Sequence, residues 1–341
     1  MMTTRWLELR QKLTGRLPGG IGAAVAGLVL IILVLMFYWS RDPDVFNVRE
    51  VALRQTAGDE TRLWPGVVTT STLIEVVNVL LQKPGGYISN DVMPPGVLMD
   101  NMPNWEFGVL VQVRDLAKAL RNDLSRSQSQ STEDKDLQDA EPNFNYQNDA
   151  WILPSSESEY RDGRDALQRY LTRLLDDNDQ NAQFYARADN LRDWLVLVEK
   201  RLGSLSQRLS ASVGQERINV DLGSEVAAAG STDERKVIAV KTPWLEIDDV
   251  FYEARGTAWA LIHFLHAVEI DFASVLAKKN AQVSLGQIIR ELEGTQDTMW
   301  SPMVLNGTGF GFVANHSLVM ASYISRANAA IIDLRRLLEQ G

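Results

Sequence analysis

The most apolar part of the chain is an uncharged run of 19 residues, Ile21–Trp39. A helix rises about 1.5 Å per residue, so this run matches a bilayer core of roughly 30 Å. It ends in Phe-Tyr-Trp, and aromatic rings of this kind prefer the membrane interface. A cleaved signal peptide would have a shorter run with small residues before the cleavage site. A buried core helix is the other interpretation. The pattern predicts an uncleaved transmembrane helix over 21–39.

Elsewhere, three segments carry apolar residues in alternating steps of four and three, a pattern typical of helices that pack lengthwise. They predict an all-α fold, a bundle of long and nearly antiparallel helices after the N-terminal membrane helix. The three series are Leu191, Leu195, Val198, Leu202, Leu205 and Leu209; Val250, Ala254, Thr257, Leu261, Phe264 and Val268; and Met320, Ile324, Ala327, Ile331, Leu334 and Leu338.

Shorter helices are indicated by local signals. The spacings Thr72 to Glu75 and Ser156 to Glu159 are those of a capping box, in which two side chains satisfy the free amides of a helix start. An apolar face predicts another helix from about 107 to 125.

Two polar stretches interrupt these patterns, 125–150 and 213–242. Both have few apolar groups to bury, so we expect flexible loops, with at most a short strand around 217–222. The predicted organisation is a tail (1–20), a membrane helix (21–39) and one helical domain (40–341).

Charge divides the chain into two parts. Residues 1–41 hold five basic residues and one acid, which leaves 29 basic and 43 acidic residues in 42–341, a net charge of -14. The positive-inside rule therefore places the N-terminus in the cytoplasm and the helical domain outside it. The predicted membrane-anchoring residues are Arg5, Arg10, Lys12, Arg16 and Trp39.

Composition excludes several classes of protein. The chain has no cysteine, which excludes disulfide scaffolds, thiolate zinc sites, iron–sulfur clusters and catalytic cysteines. Its acidic balance argues against a nucleic-acid partner. We expect no cofactor, and the sequence favours neither a monomer nor an oligomer.

The segment 83–105, KPGGYISNDVMPPGVLMDNMPNW, is a long apolar loop with four of the eleven prolines and three of the nine methionines. It either covers one end of the bundle or binds a partner, since rigid prolines with methionine and aromatic groups suit an interface. The candidate partner-binding residues are Tyr87, Asp91, Met93, Met99, Asp100, Met102 and Trp105.

Two groups of residues could carry chemistry. His263, His266 and Glu269 share a helix face and are weak metal-ligand candidates, but histidines satisfied within a core are the favoured interpretation. Paired carboxylates such as Asp248 and Asp249 could hydrolyse glycans, although an acidic chain contains many such pairs. We predict no catalytic residue and no metal site.

The motifs K-P-G-G-Y at 83–87 and D-N-M-P-N-W-E-F-G at 100–108 resemble a proteobacterial family of uncharacterised inner-membrane proteins, domain-of-unknown-function family 2333. The resemblance spans most of the chain, including the N-terminal anchor, and implies a protein of the Gram-negative envelope. With the orientation that the charges predict, the C-terminal domain would lie in the periplasm. The resemblance brings no catalytic residues.

The function that fits these observations is a non-enzymatic assembly, scaffolding or interaction subunit in the inner membrane, in contact with its lipids and with another envelope protein. A sensor is disfavoured because about 20 cytoplasmic residues leave no room for a signalling domain. The alternatives are a membrane-anchored cell-wall glycan hydrolase with paired carboxylates and, third, a periplasmic metal-binding domain.

Overall fold

The computed structural model of the chain describes residues 19–127, 132–176, 182–218, 237–298, 304 and 316–340. These residues form an all-α bundle with one two-stranded antiparallel hairpin, which confirms the predicted fold class. The helices are α1 (Gly19–Trp39), α2 (Val48–Gln55), α3 (Val67–Gln82), α4 (Asn101–Ala119, extended by a wider turn over Leu120–Leu124), α5 (Lys135–Phe144), α6 (Ser156–Leu174), α7 (Ala188–Ser210), α8 (Ile247–Asp271), α9 (Ala273–Lys278), α10 (Gln282–Glu293) and α11 (His316–Glu339).

Helix α1 is the apolar run read from the sequence. Among the described residues it is the one helix long and apolar enough to cross a membrane, with a mean hydropathy of 2.7. None of that window is buried by the rest of the protein, so the core-helix interpretation is wrong. The predicted anchoring residues Arg5, Arg10, Lys12 and Arg16 lie outside the described residues.

The three predicted packing series lie on α7, α8 and α11. All six residues of the α7 and α11 series are buried, as are five of the six on α8, where Val250 is half-buried. Helices α7 and α11 pack antiparallel, because Glu199 pairs with Arg335 while Gly203 lies beside Asn328.

The central pair, α4 and α8, departs from the predicted antiparallel arrangement. Asn104 donates to Asp249 over 2.7 Å near both N-termini, and Thr257 donates to the Gly108 carbonyl over 3.3 Å one turn later. The two helices are therefore parallel, and α5, α6 and α7 return the chain between them. They cross closely at two glycines, since a Cβ on Gly256 would overlap the Trp105 carbonyl oxygen.

Helix α3 begins at Val67, five residues before the predicted capping box at Thr72. Its first amides are satisfied by a carboxylate from the end of α8, because Asp271 accepts from the Thr69 N–H over 2.7 Å. Ser156 is likewise the first residue of α6, and its neighbour Ser155 is the cap. A cap supplied by a residue 202 positions away leaves no local sequence signal.

The predicted flexible loop at 125–150 contains a helix, α5. Three residues at helical spacing, Leu137, Ala140 and Phe144, bury one face of it, and Asp134 caps it by accepting from the Asp136 N–H over 3.0 Å. Three apolar groups in ten residues suffice to bury a short amphipathic helix against α6.

In the predicted loop at 213–242, β1 (Gln215–Ile218) pairs with β2 (Val237–Val240), with Gln215 opposite Val240. This places a strand near the predicted position. The rest of that stretch, 219–236, lies outside the described residues.

A strap of eight residues, 40–47, joins α1 to α2 and runs along α8. Asp42 pairs with Arg255, the Asp44 carbonyl accepts from the Trp259 indole over 3.3 Å, and the Phe46 N–H donates to His263 over 3.0 Å. The three contacted residues of α8 are four positions apart, so successive contacts lie one helical turn further along α8. The strap therefore leaves α1 beside the N-terminal half of α8 and is fixed from its third residue onwards.

Candidate functional site

The loop 83–100 is fixed to the bundle by a buried ion pair between Lys83 and Glu106, whose side chains are both fully inaccessible. Glu106 also accepts from the backbone N–H groups of Ile88 and Ser89, each over 2.8 Å. Burial raises the pKa of Glu106, while the Lys83 ammonium and these hydrogen bonds oppose that rise. Because both charges are satisfied, the first half of the loop is rigid.

Three of the predicted partner-binding residues are core residues. Tyr87, Met102 and Trp105 are buried, Tyr87 donates to the Asn148 carbonyl over 3.0 Å, and the Trp105 ring packs 5.2 Å from that of Trp259. At these three positions burial favours the other interpretation of the segment, that it covers one end of the bundle.

The other four predicted residues lie between the middle of the loop and its junction with α4. Met93 is 72% exposed, Asp100 is exposed at the α4 N-terminus, and Asp91 and Met99 are half-buried. The loop closes on itself here, since the side chain of Asp91 contacts Gly96. The tip presents a set of exposed apolar side chains: Val92, Met93, Val97 and Leu98.

A second apolar loop, which sequence reasoning missed, lies beside this tip. Ala150 and Ser156 clamp its base, with the Ser156 N–H donating to the Ala150 carbonyl over 2.8 Å and the Ala150 N–H to Ser156 Oγ over 3.1 Å. Asn90 joins the two loops by donating to the Ala150 carbonyl over 2.8 Å. Between the clamped residues the exposed side chains are Trp151, Ile152 and Leu153. The only sequence signal is three large apolar residues in a polar stretch.

Both loops lie at the end of the bundle where α1 joins it. The ring of Trp39, the last residue of α1, packs on Gly85, where a Cβ would approach it to 2.7 Å. Trp244 and Leu245 are exposed at the same end, immediately before α8. We call this region, formed by residues 83–100, 150–156 and 243–249, the proximal end. Trp39 is thus a packing residue as well as a predicted anchor.

Acidic residues accompany the apolar ones at the proximal end. Burial raises the pKa of Asp249 to about 6, and the nearby charges of Asp248, Asp100 and Glu246 add to the rise. These residues lie at or in the first turns of α4 and α8, where helix dipoles favour negative charge. Their position is therefore explained without a catalytic role.

The candidate metal ligands either have hydrogen-bond partners already or lie too far apart to share a metal ion. His263 is buried, with Nε2 accepting from the Phe46 N–H and Nδ1 2.7 Å from the Trp259 carbonyl, which fixes a neutral ring with both nitrogens used. Burial lowers the pKa of His263 to about 4. His266 lies 3.4 Å from Glu269 and 3.8 Å from Glu293. Within the described residues no group of three or more His, Cys, Asp or Glu is arranged to hold a metal ion.

Two cavities are candidates for a small-molecule site. One, of about 510 Å³, is an open polar cleft between α5 and α6 whose wall includes Asp139, Asp162 and Asp165. The other, of about 320 Å³, lies between α4, α7 and α8, and its cations Arg201 and Arg208 pair with acidic residues. Asp249 lines neither cavity. The carboxyl whose pKa is raised to about 6 is therefore not part of the aspartate-lined cleft.

Comparison with known proteins gives one match. Residues 12–341 match a family described as an uncharacterized protein conserved in bacteria (DUF2333). The matched range includes both the KPGGY and DNMPNWEFG motifs. No curated protein and no solved structure matches the chain. The family description assigns no residue a role, so the geometry above is the basis for function.

Proposed function

We propose, because the chain belongs to the DUF2333 family of uncharacterized bacterial proteins, that it is a membrane-anchored scaffolding subunit of the bacterial envelope. In this proposal α1 crosses the inner membrane once, the N-terminus is cytoplasmic, and the helical domain lies in the periplasm. Its task is to hold another envelope protein at the membrane, not to catalyse a reaction.

The proposal depends on one observation: α1 is an apolar helix of membrane length, and the rest of the protein buries none of its apolar window. Exposing 19 such residues to water would cost far more than any compensating contact here, so a bilayer is the environment that suits α1. The excess of basic residues before α1 and of acidic residues after it supports the orientation.

Topology is tested with reporters fused after Gly341 in intact bacteria. We expect a periplasm-dependent reporter to be active and a cytoplasm-dependent one to be silent, and alkaline extraction to leave the protein in the membrane fraction. The reverse reporter pattern would overturn the orientation, and release by alkali would overturn the anchor.

The scaffolding role is tested by mild detergent extraction and co-purification. We expect a discrete envelope protein to remain bound in stoichiometric amount, and binding to withstand substitution of Asp249, because that carboxyl is not catalytic in this proposal. Recovery of the chain alone after crosslinking in intact cells would contradict a scaffold.

The rival function is hydrolysis of cell-wall glycan, favoured by the raised pKa of Asp249 and by the aspartate-lined cleft. Scaffolding predicts that the purified full chain releases no soluble fragments from cell-wall glycan, and that Asp249→Asn and Asp162→Asn behave like the parent. Release that either variant abolishes would replace the scaffold with the hydrolase.

A further inference from the structure

We propose that the proximal end rests on the bilayer, with the apolar tips of its two loops inserted among the headgroups and upper acyl chains of zwitterionic lipid. This is a second membrane contact, separate from α1. It rests on the proposed function, in that α1 must span the membrane.

The first argument is distance. Asp42, three residues after α1 ends, is already paired with Arg255, which lies two turns from the N-terminus of α8. Three extended residues span at most about 10 Å, so the strap cannot hold the domain away from the membrane surface. Trp39 shortens the separation further, since its ring packs directly on Gly85 in the loop 83–100.

The second argument is where the exposed apolar residues are. Outside α1, the described residues with large exposed apolar side chains are concentrated in three loops of the proximal end, and outside these loops they are Val45, Val283 and Val319. Apolar groups gathered on one end of a domain mark an interaction surface, whereas scattered single ones do not. The proximal set is Val92, Met93, Val97, Leu98, Trp151, Ile152, Leu153, Trp244 and Leu245.

The third argument is that the tips are built to stay exposed. Leu153 is 89% exposed and holds a left-handed backbone with φ near 54°, which is unfavourable for a branched side chain. The clamp between Ala150 and Ser156 keeps the loop in this form, although folding the three apolar residues inward would remove them from water. A loop held out in this way is suited to insertion, and tryptophan is the residue that the membrane interface prefers.

Lipid fits the surface better than a second protein does. The exposed apolar side chains lie on three short segments, 92–98, 151–153 and 244–245, whereas protein interfaces are typically broad and shape-complementary patches. Asp100, Asp248 and Asp249 lie at the base of the tips and would be repelled by an anionic membrane. The lipid we name is therefore zwitterionic.

The test uses the full chain in phosphatidylcholine vesicles, and the absence of native cysteine allows single labels. A polarity-sensitive fluorophore is attached to Leu153→Cys, Met93→Cys and, as control, Val283→Cys. Val283 is 79% exposed at the start of α10, beyond the far end of the 25-residue α8. A subset of the lipids carries a nitroxide on the upper acyl chain. Far-UV circular dichroism verifies that each variant is folded.

We expect blue-shifted emission and nitroxide quenching at positions 153 and 93, with neither at 283. Water-like emission at all three positions, while alkaline extraction shows the chain embedded, would overturn the lipid contact and leave the membrane anchor standing. A blue shift without nitroxide quenching would overturn it in favour of a protein contact. Release of the chain by alkali would overturn the anchor and with it this inference.

Discussion

At the scale of single residues, the ion pair of Lys83 and Glu106 is the contact on which the loop 83–100 depends. Both side chains are inaccessible to solvent, and Glu106 holds two backbone amides of the loop as well as the ammonium. Removing one partner leaves a buried charge uncompensated, which is far more costly than removing both.

We therefore predict that Lys83→Met lowers the free energy of unfolding by about 3–5 kcal/mol. Urea unfolding of the full chain in detergent, followed by far-UV circular dichroism, measures the loss. The control is Lys83→Met combined with Glu106→Leu, which we expect to be less damaging than Lys83→Met alone. Equal losses in the single and double variants would show that the charge on Glu106 is not the cause.

Two buried groups make opposite contributions to the dependence of stability on pH. Burial raises the pKa of Asp271 from 3.8 to about 6, so between these values the folded chain holds a proton that the unfolded chain releases. Its contribution to stability is present at low pH and is lost as pH rises through 6. His263 is lowered from a pKa of 6.5 to about 4, so its contribution is present above 6.5 and is lost as pH falls through 4.

The two variants Asp271→Asn and His263→Gln should therefore change the slope of the parent's stability profile in opposite directions between pH 4 and 6. Asp271→Asn leaves the histidine, so the free energy of unfolding rises more steeply with pH than in the parent. His263→Gln leaves the carboxyl, so the free energy of unfolding rises less steeply with pH than in the parent. Each unit of pKa difference corresponds to about 1.4 kcal/mol. Urea unfolding across this range measures the slopes, and parallel profiles would contradict the assignment.

These residue-scale contacts were largely beyond sequence reasoning. Asp271 caps a helix 202 positions earlier, and His263 binds the Phe46 N–H 217 positions earlier. Local patterns give residue types and spacing but not which distant amide a side chain meets. The sequence favoured satisfied core positions for both histidines; His263 occupies one, whereas His266 is half-buried beside Glu269.

At the scale of elements, helix spacing was the strongest signal. Series of apolar residues at steps of four and three place α7, α8 and α11 and identify their buried faces, because a face that must be buried repeats at the helical period. The relative direction of the helices could not be predicted from their spacing. Helices α4 and α8 are parallel, and this depends on the number of helices that connect them. The short helix α5 was missed because three apolar residues in ten are a weak period.

The crossing of α4 and α8 yields an element-scale prediction. A methyl group on Gly256 would overlap the Trp105 carbonyl, and backbone cannot move aside as a side chain can. We expect Gly256→Ala to lower the free energy of unfolding by about 1–3 kcal/mol.

The matched control is Gly286→Ala on α10, where nothing lies within 4 Å of the added methyl group. It should stabilise by roughly 0.5–1 kcal/mol, because alanine favours a helix over glycine. Thermal or urea unfolding of both variants separates the two effects, and a Gly256→Ala chain as stable as Gly286→Ala would show that the helices do not touch there.

At the scale of the whole molecule, the split of charge and the apolar run indicated an anchored protein before any geometry was known. The sequence indicated only part of the apolar surface at the proximal end. The segment 83–105 stood out by composition, but its aromatic residues turned inward and the exposed apolar set was completed by loops from 151–153 and 244–245. Such a surface is assembled from distant segments, so no single stretch of sequence displays it.

Because none of the apolar window of α1 is buried and its last residue, Trp39, packs on the bundle, a chain that keeps Trp39 should fold without the rest of α1. A chain that begins at Trp39 keeps the strap and its contacts with Arg255, Trp259 and His263. We expect the helical signal per residue of the domain and its unfolding midpoint to match those of the full chain in detergent. A collapsed helical signal would show that α1 is part of the core.

The strap 40–47 has a consequence for how the protein would meet other molecules. With α1 in a bilayer, a tether that is fixed from its third residue prevents the domain from moving away from the membrane surface. Its height is set by α8, about 37 Å for 25 residues at 1.5 Å each. Encounters would then be a matter of lateral diffusion in the plane of the membrane. A partner would have to share that plane or extend to within a few nanometres of it.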